Sequence, residues 1–270
     1  MPILADVFAQ TLNGLSYGVL LFLLSVGLTL IFGMLDVVNL AHGSFYMLGA
    51  YAGLTLIAAT GNFWLALFAA PIVVGGLGML VERTCLRPLY RRPPLDQILL
   101  TFGFIYLFED VVKWIWGGRI RSIPSPALFS GSVTLFGATI PSYRLFVIVF
   151  GLAVAGALWA LIERTRLGSI IRAGVFAGGA ALAGLSGVIA GPIQSAYPAM
   201  GSEILIRTLI VVVIGGLGSL KGSLVGSLII GQAETFGKAW LPDAAMLIIY
   251  VVMALVVFLR PQGLFGRPLK

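Results

Sequence analysis

A short segment early in the chain carries polar side chains that could contact a small polar ligand. The sequence DVVNLAHGSFYMLGAYAG begins at Asp36 and places Asp36, Asn39 and the chain's only histidine, His42, three residues apart, with Gly43 beside them. That spacing puts the side chains near one face if the segment is helical. A carboxylate, an amide and an imidazole can between them donate and accept hydrogen bonds, and imidazole titrates near neutral pH. These four residues are our first candidates for a functional site.

The elements that must position this segment are apolar enough to lie in a bilayer. Apolar residues make up 59% of the 270 residues, charged residues 10%, and the mean hydropathy is +1.06. Soluble domains have roughly 45–50% apolar and about 25% charged residues. The apolar runs continue along the whole chain, with no linker long enough to divide it. The sequence therefore predicts an integral membrane protein with a single transmembrane domain over residues 1–270.

A helix needs about 20 apolar residues to cross the hydrocarbon core. On that criterion we predict an all-α polytopic fold of about eight to nine transmembrane helices, some of them broken. A small outer β-hairpin, with strands over Val133 to Phe136 and Thr139 to Ile140, is predicted between two of them. The predicted spans are Phe8 to Leu35, His42 to Thr60, Phe63 to Val81, Gln97 to Trp116, Leu145 to Ile162, Phe176 to Gln194, Ile204 to Leu217, Gly222 to Phe236 and Ala244 to Leu259.

The polar segment interrupts the chain between the first two predicted spans. Glycines at 33, 43 and 49 weaken a continuous helix, so we expect a broken or re-entrant element. Non-helical backbone at membrane depth survives where it is buried in protein or lines a wet cavity. One interpretation is thus a translocation path formed by Asn39, His42 and Gly43 with Asp36 behind them. The other is a short inner loop in which His42 caps the next helix and Asp36 is solvated.

Other polar residues yield one further candidate and no enzyme. Glu234, in GQAETFG, has no obvious local partner and is a possible buried functional acid. One histidine and one cysteine cannot form a usual metal cluster, and the motifs H-E-x-x-H, G-x-S-x-G and G-x-x-x-x-G-K-[ST] are absent. We predict no catalytic or metal-binding residue and no cofactor in this chain. If transport uses ATP, another polypeptide hydrolyses it.

Basic residues indicate the orientation. With the N-terminus outside, eleven basic residues fall in inner loops and the tail and four fall outside, as the positive-inside rule requires. We therefore expect the N-terminus outside and the C-terminus in the cytoplasm. The inner group is Arg83, Arg87, Arg91, Arg92, Arg164, Arg166, Arg172, Lys221, Arg260, Arg267 and Lys270, and the outer group is Arg119, Arg121, Arg144 and Lys238.

Small residues recur every fourth position in two predicted helices. One helix carries Gly179, Ala183, Gly187 and Gly191, and another carries Ser223, Ser227 and Gly231. Such stripes allow helix backbones to approach closely in a membrane. We expect these faces to be buried against other helices.

Six blocks of sequence together resemble one family. They are GLTLIFGMLDVVNLAHGSFYMLGAY from Gly27, ERTCLRPLYRR from Glu82, ERTRLGSIIRA from Glu163, ALAGLSGVIAGPI from Ala181, GGLGSLKGSLVGSLIIGQAE from Gly215 and RPQGLFG from Arg260. Together they are similar to the Liv-type permease subunits of branched-chain or hydrophobic amino acid ABC importers, and most of all to the H-type subunit. The resemblance covers nearly the whole chain and follows the family's order.

The resemblance implies a multi-pass subunit of the bacterial inner membrane. It works there with a second permease, related or identical to it, with two cytoplasmic ATPases that bind ATP and magnesium, and with an external solute-binding protein. Relatives carry branched-chain or other hydrophobic amino acids, or urea and short amides, so the solute stays open. An ion-coupled secondary transporter, with Asp36, His42 or Glu234 carrying protons, is the alternative from another class. Nucleic acid is not an expected partner.

The chain departs from the family pattern at one place. The resemblance implies a longer cytoplasmic stretch after ERTRLGSIIRA that docks into the ATPase, whereas here IIRAGV runs directly into FAGGAALAGL. Either the chain lacks that stretch, or Val175 and Phe176 are not bonded neighbours and residues intervene. We predict the second. The expected ATPase-coupling region is Arg164, Arg166, Arg172, Ala173, Gly174 and Val175.

Overall fold

The computed structural model describes residues 2–164 and 172–266. Within these ranges the chain forms nine α-helices and one two-stranded sheet. The helices are α1 Pro2–Leu35, α2 His42–Thr60, α3 Phe63–Val81, α4 Pro94–Trp116, α5 Ser142–Arg164, α6 Arg172–Gln194, α7 Met200–Gly215, α8 Leu220–Trp240 and α9 Ala245–Leu259, and the strands are β1 Ser132–Leu135 and β2 Ala138–Pro141.

Six stretches of the described residues are long and apolar enough to cross a membrane. They are Ile3–Leu35, His42–Thr60, Phe63–Leu89, Ser142–Leu161, Arg172–Gln194 and Pro242–Leu259. The predicted polytopic helical fold is confirmed, with the predicted spans two and three matching α2 and α3 at both ends.

The boundary between α2 and α3 has a local cause. Gly61 ends α2 in the left-handed conformation, with φ at 67°, and its N–H bonds to the carbonyl of Ile57. Asn62 then caps α3, because its side chain accepts hydrogen bonds from the N–H groups of Trp64 and Leu65. A glycine after one helix and an asparagine before the next are strong stop and start signals.

The predicted hairpin is confirmed. Strands β1 and β2 pair antiparallel with Val133 opposite Ile140, and a two-residue turn joins them. Phe136 belongs to this turn and not to the first strand, because Phe136 and Gly137 both have positive φ, 52° and 81°. Such turns match the twist of the flanking strands. The ring of Phe8 packs edge-on against Phe136 at 5.3 Å between centroids.

Contacts divide the chain into two compact units, and the prediction of a single domain stays a prediction. The first unit contains Met1–Ser25, Ser125–Arg166 and Leu209–Lys270, and the second contains Val26–Pro124 and Leu167–Thr208. In the first unit, α8 packs on the first half of α1, where a Cβ on Gly231 would lie 2.6 Å from the carbonyl of Gly14. Ser223, Ser227 and Gly231 are all buried, as the spacing of small residues predicted.

The second unit is held together by α2, α3 and α6. Gly49 of α2 faces the backbone of Gly184 in α6, and Gly187 of α6 faces the carbonyl of Tyr46 in α2, so closely that neither glycine has room for a Cβ. The predicted stripe of Gly179, Ala183, Gly187 and Gly191 is buried along its length. Backbone-to-backbone contact of this kind is how helices associate in lipid.

The predicted break between Val175 and Phe176 is wrong. Helix α6 is continuous from Arg172 to Gln194, so the two residues are bonded neighbours where its first turn passes into the second. Phe176 is only 1% exposed, and its ring packs edge-on against Phe45 at 5.9 Å. An insertion at this position would interrupt the helix and displace that ring. The chain therefore lacks an intervening stretch here.

Candidate functional site

The segment that joins α1 to α2 runs back into the protein. Helix α1 ends at Leu35, residues 36–41 are not helical, and α2 begins at His42. A Cβ on Gly27 would lie 3.0 Å from Cε1 of His42, so the imidazole lies beside Gly27. Helix α1 continues eight residues beyond Gly27, which is about two turns. Residues 36–41 must therefore return along α1 by about two turns, as expected for a re-entrant element.

Asn39 and His42 are both fully buried, at 0% exposure. The side-chain oxygen of Asn39 accepts a hydrogen bond from the N–H of Ala41 at 3.1 Å. Its amide nitrogen, Nδ2, is buried and has no hydrogen-bond partner among the described residues. Buried polar groups normally have a partner, so this nitrogen is a donor available to a ligand.

Thr101 of α4 holds the segment in place, which the sequence did not indicate. Its hydroxyl accepts a hydrogen bond from the N–H of Leu40 at 3.2 Å and lies 3.0 Å from the carbonyl of Gln97 in its own helix. Thr101 is 1% exposed. A threonine inside a helix gives no sign in the sequence of a partner 61 residues away.

The first turns of α2 and α7 meet at Gly43 and Gly201. A Cβ on Gly43 would collide with the carbonyl oxygen of Gly201, and one on Gly201 would lie 2.9 Å from the carbonyl oxygen of Gly43. Both glycines are buried. Each helix N-terminus carries a partial positive charge, and in α2 the N–H groups of His42, Ser44 and Phe45 already bond to the carbonyls of Asn39 and Ala41. Two such ends in contact, beside Asn39, form a buried region suited to a negatively charged group.

Asp36 does not share this environment. It follows the last residue of α1 with φ at 57°, its N–H bonds to the carbonyl of Phe32 at 2.9 Å, and it is exposed. The predicted group is thus separated into a buried part, Asn39, His42 and Gly43, and an exposed acid at the end of α1. For Asp36 the exposed position agrees with the second interpretation from the sequence, in which this side chain is solvated.

Glu234 is buried as predicted but has a local partner, which corrects the sequence interpretation. It is 3% exposed, and its Oε1 lies 2.6 Å from Nζ of Lys238, one turn later in α8. The Lys238 ammonium also lies 5.9 Å from the centroid of the Tyr17 ring. The predicted span ended at Phe236 and so left this lysine outside the helix. The side chain of Lys238 is itself 62% exposed, so the pair joins a buried carboxylate to a cation at the surface.

The expected coupling residues are only partly described. Arg166 lies outside the described residues, and Arg164 is the last residue of α5. Arg172, Ala173, Gly174 and Val175 form the first turn of α6, where Ala173 and Val175 are buried and Arg172 is exposed.

A buried acid that the sequence did not single out lies next to this turn. Glu82 is 1% exposed and accepts a hydrogen bond from the hydroxyl of Tyr90 at 2.8 Å. The guanidinium of Arg172 lies over the Tyr90 ring at 5.0 Å. Burial, and then the bond to Glu82, raise the pKa of Tyr90 above its usual range. The hydroxyl therefore stays protonated and donates to the carboxylate.

Comparisons with known proteins agree over almost the full length. The profile of a family described as "Branched-chain amino acid transport system / permease component" matches residues 10–174 and 170–257. The permease protein BraD of Pseudomonas aeruginosa, named for high-affinity branched-chain amino acid transport, is 30% identical over 99% of this chain and 98% of its own. LivH of Salmonella typhimurium is 28% identical over 96% and 95%, and LivH of Methanocaldococcus jannaschii is 27% identical over 93% and 90%.

These comparisons also bear on the departure from the family pattern. The family match is in two segments that meet at residues 170–174, at the first turn of α6. The alignment with BraD is 302 positions long, whereas this chain has 270 residues. Relatives thus contain residues that this chain does not. No solved structure gave a significant match.

Proposed function

The chain belongs to the family of permease components of branched-chain amino acid transport systems, and from that membership we propose that it translocates branched-chain or other hydrophobic amino acids across the bacterial inner membrane. As a permease subunit it has a transport role and not an enzymatic one. We propose that two cytoplasmic ATPases supply the energy, with a second permease and an external solute-binding protein completing the assembly. The N-terminus is outside and the C-terminus is cytoplasmic, since the basic residues cluster accordingly.

Asn39, His42 and Gly43 form part of the path in this proposal. The observation that carries it is the buried contact of the two helix N-termini at Gly43 and Gly201, with the unpaired Nδ2 of Asn39 in the adjoining segment. An amino acid crosses with a carboxylate that needs compensation in a low-dielectric interior. Helix N-termini supply a partial positive charge for the carboxylate at membrane depth. A full positive charge would hold the solute too tightly. Asp36 is exposed and is proposed only as a neighbour of the path.

A charge substitution tests the path and the class of solute together. Asn39→Asp keeps the shape and the acceptor for Ala41 but replaces a donor by a negative charge. We expect uptake of labelled leucine by the reconstituted complex to fall about tenfold or more, which corresponds to about 1.4 kcal/mol. Urea or acetamide, being neutral, would be much less affected. Asn62→Asp is the matched control, because Asn62 is an exposed cap that aspartate serves equally well.

Two results would contradict the proposal. Normal leucine uptake by Asn39→Asp would remove Asn39 from the path. Uptake that continues with an ATPase-inactive partner, and that a protonophore abolishes, would favour the ion-coupled alternative. His42→Ala distinguishes a role of His42 in the path from a structural role. We expect reduced uptake with normal assembly of the complex.

A further inference from the structure

One exposed face of α3 leads from apolar residues directly into arginines. Phe68, Ile72 and Leu80 are 64%, 74% and 58% exposed and follow one another at helical spacing. The same face continues through the π-helical turn Glu82–Leu86, where Arg83 is exposed, to Arg87. An apolar stripe that ends at positive charges matches the polarity of a membrane leaflet.

The arginines line a cleft at the end of this stripe. Its volume is about 970 Å³, and its lining includes Arg83, Arg87, Arg91 and Arg172, with Glu82 and Tyr90. A cleft of this size can accommodate a small-molecule group such as a phosphorylated glycerol. Four arginines outnumber the one carboxylate, so the cleft is positively charged.

Contacts within the cleft leave the arginines available. Glu82 is engaged by the hydroxyl of Tyr90, and the ring of Tyr90 supports the guanidinium of Arg172. Arg83, Arg87 and Arg91 form no ion pair with the side chains that the structure describes, at residues 3–161 and 172–266. The neighbouring Arg92, by contrast, lies 3.8 Å from Asp96. Clustered arginines without anionic partners repel one another until an anion binds.

We propose that this cleft binds the phosphate headgroup of an anionic phospholipid, whose acyl chains lie along the exposed face of α3. Guanidinium groups bind phosphate oxygens in pairs, and basic pockets at the ends of transmembrane helices are suited to anionic lipid headgroups. The stripe distinguishes lipid from a soluble anion, because only a lipid uses both parts of the surface. This lipid site requires only that the chain is inserted in a membrane, and it does not depend on which solute is transported.

An acidic segment of the partner ATPase is the competing occupant. Arg172 stands where the family match is in two segments, so relatives differ from this chain beside the cleft. Such a segment would satisfy the arginines but would leave Phe68, Ile72 and Leu80 uninvolved. The apolar continuation therefore favours lipid.

The test is retention of phosphatidylglycerol by the purified complex, measured by native mass spectrometry during detergent titration. Arg87→Gln and Arg91→Gln should each weaken binding about fivefold, the effect of about 1 kcal/mol per basic residue at a membrane surface. Arg92→Gln is the matched control, with the same charge change on the same connection but outside the cleft lining. Phosphatidylcholine should bind more weakly, with no difference among the variants.

The apolar half is tested separately. Leu80→Ser should weaken phosphatidylglycerol binding, and glycerophosphoglycerol, which has the headgroup without acyl chains, should not displace the lipid at equal concentration. Equal binding of phosphatidylglycerol to the wild type and both arginine variants would overturn the proposal. So would full displacement by inorganic phosphate, which indicates a soluble-anion site. Loss of the ATPase from Arg87→Gln with unchanged lipid binding would assign the cleft to the subunit interface instead.

Discussion

The imidazole of His42 lies against Gly27 so closely that a Cβ at position 27 would come within 3.0 Å of its Cε1 and 2.6 Å of the carbonyl oxygen of Gly179. Three helices, α1, α2 and α6, therefore meet at Gly27. The position of that ring depends on the absence of a side chain on α1.

Gly27→Ala should displace either His42 or α6. We expect it to reduce the free energy of unfolding by about 1–3 kcal/mol, because overpacking at a rigid contact forces backbone shifts. Leucine uptake by the reconstituted complex should fall as well. Gly76→Ala is the control, since a Cβ there meets no atom within 4 Å and should be neutral or stabilising by about 0.5–1 kcal/mol. Equal behaviour of the two variants would show that the His42 contact is not constrained.

Thr101→Val should loosen the re-entrant segment. The variant keeps the shape of the side chain but leaves the half-buried N–H of Leu40 without its acceptor, at a cost of about 0.5–1.5 kcal/mol. Hydrogen exchange over residues 36–41 should become faster. Thr208→Val removes a similar buried hydroxyl that bonds only within its own helix, to the carbonyl of Ile204 at 2.8 Å, and should leave exchange at 36–41 unchanged. Unaltered exchange in Thr101→Val would mean that the bond to Leu40 does not hold the segment.

Lys238→Met should destabilise the protein more than Glu234→Gln. The first removes the cation beside a carboxylate that is 3% exposed, whereas the second removes the buried charge itself. We expect about 1–3 kcal/mol for Lys238→Met, partly recovered in the double variant, as measured by a double-mutant cycle in unfolding. Lys113→Met is the control: its pair with Glu109 is 2.8 Å long but 47% and 21% exposed, so solvent screens it and the substitution should change the stability less. Full additivity at 234 and 238 would argue against a coupled pair.

The single cysteine tests the orientation. Cys85 lies in the π-helical turn after α3 and is partly exposed. With the N-terminus outside, a membrane-impermeant maleimide should label Cys85 in inverted vesicles and not in right-side-out vesicles. Gly131→Cys in a Cys85→Ser background, beside the hairpin, should show the opposite pattern. Labelling of Cys85 from outside would reverse the proposed topology.

Local signals predicted the elements well where they were strong. The glycine and asparagine at 61 and 62 fixed the end of α2 and the start of α3 to the residue. The span predicted for α8 ended at Phe236, four residues before the helix itself ends at Trp240. That error also hid the Glu234 pair with Lys238, since the lysine was placed outside the helix.

The depth of the functional segment could not be predicted in the same way. That Asn39 and His42 are buried while Asp36 is exposed depends on contacts with Thr101, Gly179 and Gly201, which lie far away in the sequence. The spacing of three suggested one shared face, but the segment is not helical and the spacing does not apply. The family resemblance indicated a break inside α6, whereas the helix is continuous there despite its glycines, because those glycines pack against α1 and α2.

The glycine contacts among α2, α3 and α6 have a consequence for motion. Where backbones touch directly, there are few side-chain rotamers that can rearrange, so the three helices should behave as one rigid block. Any turning of this block relative to the helices that precede α2 and follow α6 then requires rotation in the non-helical connections, residues 36–41 and 195–199, which begin at Asp36 and Ser195. Both residues have positive φ, 57° and 60°, without being glycine. A hinge made of such residues has few alternative conformations, and it would switch between a small number of discrete settings instead of bending gradually.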